Sequence, residues 1–84
     1  MTNFNKVKKV SVISKYKLFV VFMNDEKRIY DVSALFNKWE AFKNLINVQG
    51  LFEQVHVDAG GYGISWNDEL DLSCNELYLN GEPA

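Results

Sequence analysis

The chain has 84 residues, of which 48% are hydrophobic and 24% are charged, with five Gly and one Pro. This length and composition predict one domain over residues 1–84, with an ordered core at about residues 6–80, and exclude multidomain, disordered and collagen-like chains. A single Cys and a single His exclude an internal disulfide and a zinc or iron–sulfur site supplied by one chain. We expect no metal and no cofactor. The formal net charge of −2 by itself favours neither nucleic acid nor a membrane as partner.

The first third of the chain is predicted to form a β-hairpin. Val7–Ile13 is rich in β-branched side chains, and Leu18–Met23 is an apolar run typical of a central strand covered on both faces. Asn24–Glu26 is a turn signal, because Asn and Asp tolerate positive φ, and Arg28–Val32 completes the hairpin.

A helical segment is predicted to follow. Ser33 is the expected N-cap, because its hydroxyl can accept a hydrogen bond from an amide of the first turn. The segment has an apolar stripe at helical spacing, which favours packing against the core over a groove-binding surface. A break near Lys38 would divide it into two short helices. The stripe consists of Leu35, Trp39, Phe42 and Ile46.

A second hairpin is predicted after Gly50. Val55 and Val57 begin a strand whose opposite face carries His56. The Gly60–Gly61 pair permits a tight turn, and residues 62–66 then alternate as a half-buried strand.

The end of the chain has two interpretations. Ser73 could cap a short helix that carries Leu77 and Tyr78, or Leu77–Leu79 could be an edge strand. Gly81–Ala84 is expected to fray. The predicted class is α+β, with two antiparallel hairpins in one sheet and the helical segment packed on one face.

No catalytic residue is predicted, and the chain is expected not to be an enzyme. The sequence from Asn67 does not match the twelve-residue pattern of a calcium-binding loop, because Leu72 occupies the position of the required Gly and Tyr78 occupies that of the required Glu. His56 and Cys74 lack sequence neighbours typical of a nucleophile or a base. A deep pocket that holds either one beside another titratable group would favour the remaining alternative, a small-molecule enzyme.

The apolar runs of the chain are short. The longest, Leu18–Met23, has six residues, whereas a membrane helix needs about 20. The three Lys of Met1–Lys9 are not followed by an apolar stretch of signal-peptide length. Together with the free thiol, these features predict a cytoplasmic protein with no membrane partner.

Charge is distributed unevenly along the sequence. The first 43 residues hold all nine Lys and Arg against four acids, a net charge of +5, whereas residues 44–84 hold seven acids and stand at −7. These charges either complement each other across the fold or form polar surfaces that steer a charged partner or a second copy of the chain.

The leading hypothesis is a non-enzymatic interaction module that binds a small, basic protein partner through the acidic carboxy-terminal side. The candidate contact residues are Tyr62, Trp66, Asp68, Glu69 and Asp71. An exposed sheet edge would also allow a homodimer.

Nucleic-acid binding by the first hairpin is the alternative. The acidic pI and the single Arg weigh against it, because Arg makes the commonest specific base contact. Its candidate contacts are Lys6, Lys8, Lys9, Lys15, Lys17, Lys27 and Arg28.

Several short motifs follow one another along the chain: Leu18-x-Val20-x-Phe22, Tyr30-Asp31-Val32, Ile64-x-Trp66, Asp71-Leu72 and Leu77-Tyr78. Their order resembles a bacterial family known as domain of unknown function 2442. The resemblance implies a small α+β fold without an established activity. It also implies a partner, because members are often encoded beside another small protein in an arrangement that looks like a toxin–antitoxin pair. The chain departs from the family pattern at Asn24–Glu26 and Glu69, where the family usually has Gly, and near Asn47, where the family usually has an acid.

Overall fold

Seven strands and two α-helices make up the described part of the chain, residues 5–84 of a computed structural model. The helices are α1 (Asn44–Asn47) and α2 (Cys74–Asn80). Short 3₁₀ segments cover Val32–Leu35, Glu40–Lys43, Phe52–Gln54 and Ala59–Gly61. The strands are β1 (Val7–Ser14), β2 (Lys17–Phe22), β3 (Lys27–Asp31), β4 (His56–Val57), β5 (Gly63–Ser65), β6 (Asp71–Ser73) and β7 (Glu82–Pro83).

The first sheet has the antiparallel order β1-β2-β3-β7 and confirms the predicted hairpin. A bulge at Lys8 explains the imperfect alternation of β1. Val7 lies opposite Phe22, and Val10 lies opposite Val20, so the extra residue between them returns both Val side chains to the inner face of the sheet. On this face Leu18, Val20 and Phe22 are fully buried.

The helical segment differs from the prediction at its start. Asp31, not Ser33, is the N-cap, since its Oδ1 accepts a hydrogen bond of 3.0 Å from the Ser33 amide. The expected break near Lys38 is present. Because 3₁₀ turns have about three residues per turn, the 3.6-residue stripe is not maintained. The predicted packing of the stripe against the core is therefore wrong for Trp39 and Ile46, which are 51% and 49% exposed. It is right for Leu35 and Phe42, which are buried.

The second sheet has the antiparallel order β4-β5-β6. It contains the predicted second hairpin, although β4 is shorter than expected because Phe52–Gln54 is a 3₁₀ turn. The strand β6 was not predicted, since its three residues contain one buried side chain, Leu72. Close packing of β5 against β6 requires Gly63, because a Cβ at this position would lie 2.3 Å from the Leu72 carbonyl oxygen.

The carboxy-terminal segment forms a helix and then a strand. Ser73 caps α2 as predicted, because its hydroxyl accepts a hydrogen bond of 3.0 Å from the Glu76 amide. The edge-strand alternative for Leu77–Leu79 is therefore wrong. The fraying predicted for the tail is also wrong, since Glu82 and Pro83 pair with Ile29 and Arg28 of β3.

The α+β class is confirmed, whereas the strands form two sheets rather than the single sheet expected. The edge strand β1 contains two bulges and two Lys, features that oppose further strand pairing. The second sheet instead packs against the first, and one core receives Phe22 from the first sheet, Ile64 from the second sheet and Leu77 from α2. Within residues 5–84, no helix is both long and apolar enough to cross a membrane.

Candidate functional site

Trp66, predicted as a partner contact, belongs to the core. Its side chain is 2% exposed, and its indole N–H donates a hydrogen bond of 3.1 Å to the carbonyl oxygen of Phe52. Its ring stacks on that of Phe52 at 6.2 Å between centroids and meets that of Phe42 edge-on at 6.0 Å. The Trp66 side chain does not reach the surface, so its role is to stabilise the second sheet from the side of the core.

Three of the predicted carboxylates are presented by the turn between β5 and β6 and by the start of β6. Asn67 folds this turn, because its side-chain oxygen accepts hydrogen bonds of 2.9 Å from the amides of Glu69 and Leu70. Asp68, Glu69 and Asp71 are all exposed. The local sequence therefore places three negative side chains within four positions of one another at one end of the second sheet.

The outer face of the second sheet is entirely polar. The strand register places His56 opposite Ser65 and Ser65 opposite Asp71, so these three side chains form a row across the sheet. Ser65 also donates a hydrogen bond of 2.6 Å to Asp58, and His56 Nδ1 lies 3.1 Å from the Gln54 carbonyl oxygen. This row was not predicted from the sequence, because β6 was not predicted. The alternation of Leu70 and Leu72 about Asp71 is the signal that could have found β6. We call the carboxylates Asp58, Asp68, Glu69 and Asp71 the acidic face.

Tyr62 lies apart from the acidic face. It is 57% exposed at the opposite end of β5 from the Asn67–Leu70 turn, and the Lys6 ammonium lies 4.8 Å from the centre of its ring. The structure thus brings together Asp68, Glu69 and Asp71 from the predicted contact set, but not Tyr62.

The ion pairs of the described chain do not join its basic and acidic parts. In residues 5–84 there are three pairs, Lys8–Asp25 at 3.3 Å, Arg28–Glu26 at 2.9 Å and Lys43–Glu40 at 3.7 Å. All lie within the first 43 residues. The seven acids of residues 44–84 make no ion pair with any described Lys or Arg, so the two parts do not neutralise each other by direct contact.

The basic residues predicted to contact nucleic acid do not share one face. Arg28 lies on the inner face of the first sheet, opposite Val20, and its guanidinium covers the Tyr78 ring at 4.4 Å. It also binds Glu26, and together with the Tyr78 hydroxyl it holds the pKa of that carboxyl below its ordinary value. The Lys15 ammonium lies 5.6 Å from the Tyr16 ring centre, at the hairpin turn. Lys9, Lys17 and Lys27 lie on the outer face of the first sheet.

A cleft of about 480 Å³ opens on the surface and is lined by Lys17, Asp31, Lys38 and Glu82 around the Tyr30–Glu76 pair. The Tyr30 hydroxyl donates a hydrogen bond of 2.7 Å to Glu76, and burial and the Glu76 carboxylate together raise the pKa of Tyr30 above its ordinary value. This pair fastens α2 to β3.

Another cleft, of about 340 Å³, has both polar and apolar lining residues and lies between the end of β1 and α1. Neither His56 nor Cys74 lines either cleft. Cys74 is buried at the first position of α2. Within residues 5–84, no group of three or more His, Cys, Asp or Glu side chains is arranged to hold a metal ion.

The resemblance noted in the sequence is confirmed by comparison with known families. The sequence model of the family described as "Protein of unknown function (DUF2442)" matches residues 7–83. The chain belongs to the DUF2442 family. The DUF2442 match runs from the first residue of β1 to the last residue of β7, so both sheets and both outer faces lie within the family domain. No curated protein and no solved structure matches the chain.

Proposed function

We propose that the protein is a cytoplasmic, non-enzymatic interaction module that binds a small basic protein through the acidic face. The observation that carries the proposal is the placement of the charges. Asp68, Glu69 and Asp71 are exposed, and no described Lys or Arg pairs with them. A surface of one sign attracts a partner of the opposite sign and orients it before contact.

The composition of the second half of the chain strengthens this field. Residues 44–84 contain no Lys or Arg, so the second sheet carries only negative formal charge. His56 and Ser65 extend the polar surface between Asp58 and Asp71 and supply further hydrogen-bonding groups. The resemblance of DUF2442 gene arrangements to toxin–antitoxin pairs supports a small protein as the partner.

The test is capture of bound protein by the tagged chain in its own cells at low salt, followed by mass spectrometry and affinity measurement. The variant replaces the acidic trio by Asp68→Asn, Glu69→Gln and Asp71→Asn. Its matched control, Asp25→Asn, Glu40→Gln and Glu53→Gln, removes the same formal charge from other exposed positions. We expect about a tenfold loss of affinity for the acidic-face variant, equivalent to about 1.4 kcal/mol, and little change for the control.

Two results would contradict the proposal. Equal weakening by both variants would show that net charge alone, and not the acidic face, holds the partner. Recovery of the monomer without any bound protein at low salt would contradict the existence of the proposed partner. A gel shift with nucleic acid that weakens steeply with added salt would instead support the alternative of nucleic-acid binding by the first hairpin.

A further inference from the structure

The outer face of the first sheet carries an apolar stripe. Phe19 of β2 lies opposite Ile29 of β3, and Val21 is the next residue of β2 on the same face. Side chains so placed on neighbouring strands lie in contact with one another. All three are partly exposed. They form a continuous hydrophobic strip that runs across the two central strands.

This stripe is not part of the protein core. Phe19, Val21 and Ile29 are neither core residues nor among the partly buried hydrophobic residues that pack against the core. The helix α2 packs on the opposite side of the sheet, where Tyr78 meets Phe22 edge-on at 5.3 Å. Among the described residues, no helix packs over the stripe.

Three Lys surround the stripe. Lys9 and Lys27 lie on either side of Val21 in the strand register, and Lys17 precedes Phe19 by two positions on the same face. None of these three Lys makes an ion pair in residues 5–84. The cations that do make ion pairs are Lys8, Arg28 and Lys43.

Two carboxylates also border this face, and both lie away from β1. Asp31 turns its carboxylate to the Ser33 amide and hydroxyl. Glu82 lies opposite Ile29 in β7. Lys17, Ile29 and Glu82 also line the cleft of about 480 Å³, so the stripe continues into a concave surface. We define the basic face as the apolar stripe together with Lys9, Lys17 and Lys27.

We infer that the basic face is a second docking surface, which binds an amphipathic acidic segment of a partner protein. The apolar side of such a segment would cover Phe19, Val21 and Ile29, and its carboxylates would meet the three Lys. This occupant satisfies both the hydrophobic and the electrostatic character of the face.

The other occupants fit less well. A second copy docked symmetrically would place the Lys of one chain against the Lys of the other, and the acidic face of a second copy has no apolar stripe to offer. Nucleic acid is disfavoured because the basic face has one aromatic side chain and no Arg.

The test uses a synthetic amphipathic helix of about 20 residues with Leu on one side and Glu on the other. A peptide of the same composition in scrambled order is the control probe. We expect the patterned peptide to shift the amide resonances of Phe19, Val21 and Ile29 in the ¹⁵N-labelled protein, and the scrambled peptide to bind at least tenfold more weakly.

Matched variants then separate the basic face from net charge. Lys9→Gln, Lys17→Gln and Lys27→Gln together should weaken binding about tenfold, whereas Lys8→Gln, Lys15→Gln and Lys43→Gln should leave it nearly unchanged. Ile29→Thr, which keeps a β-branched residue in the strand, should weaken binding with retained amide dispersion. Absence of binding, equal binding of both peptides, equal loss in both Lys variants, or self-association through Phe19 seen by sedimentation would overturn the inference.

Discussion

The outer faces of the two sheets differ in both polarity and charge. The first sheet presents Phe19, Val21 and Ile29 within a frame of three Lys, whereas the second sheet presents the row His56, Ser65 and Asp71 beside further carboxylates. Their inner faces share one hydrophobic core. The two sheets therefore build one core together and differ in the side chains that they expose to solvent.

This difference follows from the order of the chain. Residues 7–31 supply three strands of the first sheet, and residues 56–73 supply the whole second sheet, so the basic and acidic parts of the sequence become two separate surfaces. The exception is β7, which carries Glu82 from the acidic part to the edge of the first sheet. Because each sheet is built mostly from one continuous part of the chain, the uneven distribution of charge along the sequence becomes an uneven distribution of charge over the surface.

The largest effect in this comparison is expected from removing Trp66, the buried side chain that packs beside the second sheet. Trp66→Ala should lower the free energy of unfolding by about 3–5 kcal/mol, because it opens a large cavity and frees the Phe52 carbonyl oxygen. Urea denaturation of Trp39→Ala is the control, with a change within about 0.5 kcal/mol, since that side chain is 51% exposed. Equal losses for the two Trp would contradict the assignment of Trp66 to the core.

A smaller effect is expected from forcing β5 and β6 apart. Gly63→Ala places a methyl group against the Leu72 carbonyl oxygen and should cost about 1–3 kcal/mol. Amide spectra should show the largest changes around Asp71 and small changes in β2. Ser11→Ala on the first sheet is the matched control, and its effect should stay within about 0.5 kcal/mol. Changes of similar size in both sheets would show that they are not separable units.

The smallest expected effect concerns the pair that fastens α2 to the first sheet. Tyr30→Phe should cost about 1 kcal/mol by removing the hydrogen bond to Glu76. The pKa of Tyr30 is raised in the folded state, so its contribution is complete below the ordinary tyrosine pKa of 10.0 and declines as the pH rises above that value.

The pH dependence of unfolding checks this sign. The wild type should lose stability above about pH 10, and Tyr30→Phe should lose less over the same interval. Tyr62→Phe, at an exposed position, is the control and should follow the wild type. Identical alkaline profiles for all three proteins would contradict the role of Tyr30.

Much of the fold could be predicted from local sequence. The strands β1 to β3 and the Ser73 cap follow from apolar runs, turn residues and a hydroxyl at the right position. The strand β7 could not be predicted, because it has two residues and is held by pairing with β3, which is distant in the sequence. The strand β6 has three residues with one buried side chain, so the alternation of Leu70 and Leu72 about Asp71 is its only local signal. The bulges in β1 and the division of the strands into two sheets could not be predicted either, because local propensity does not reveal which strands pair.

The candidate site was predicted in part. Charge counting found the carboxylates at Asp68, Glu69 and Asp71. Trp66 was wrongly included among the contact residues, although the period-2 alternation of residues 62–66 places it on the same face as Ile64, and both side chains are buried. The Lys residues could not be sorted by face, since the bulge at Lys8 shifts the alternation of β1 by one residue.

The two proposals place docking surfaces of opposite charge on the outer faces of the two sheets. One measurement tests this most directly: amide chemical-shift mapping of the ¹⁵N-labelled wild-type protein with two peptides of identical pattern, one Leu/Glu and one Leu/Lys. We predict that the Leu/Lys peptide shifts the amides of Asp58, Ser65 and residues 68–71, and that the Leu/Glu peptide shifts those of Phe19, Val21 and Ile29. Overlapping sets of shifted amides would contradict the proposal that the two peptides bind to separate faces of the protein.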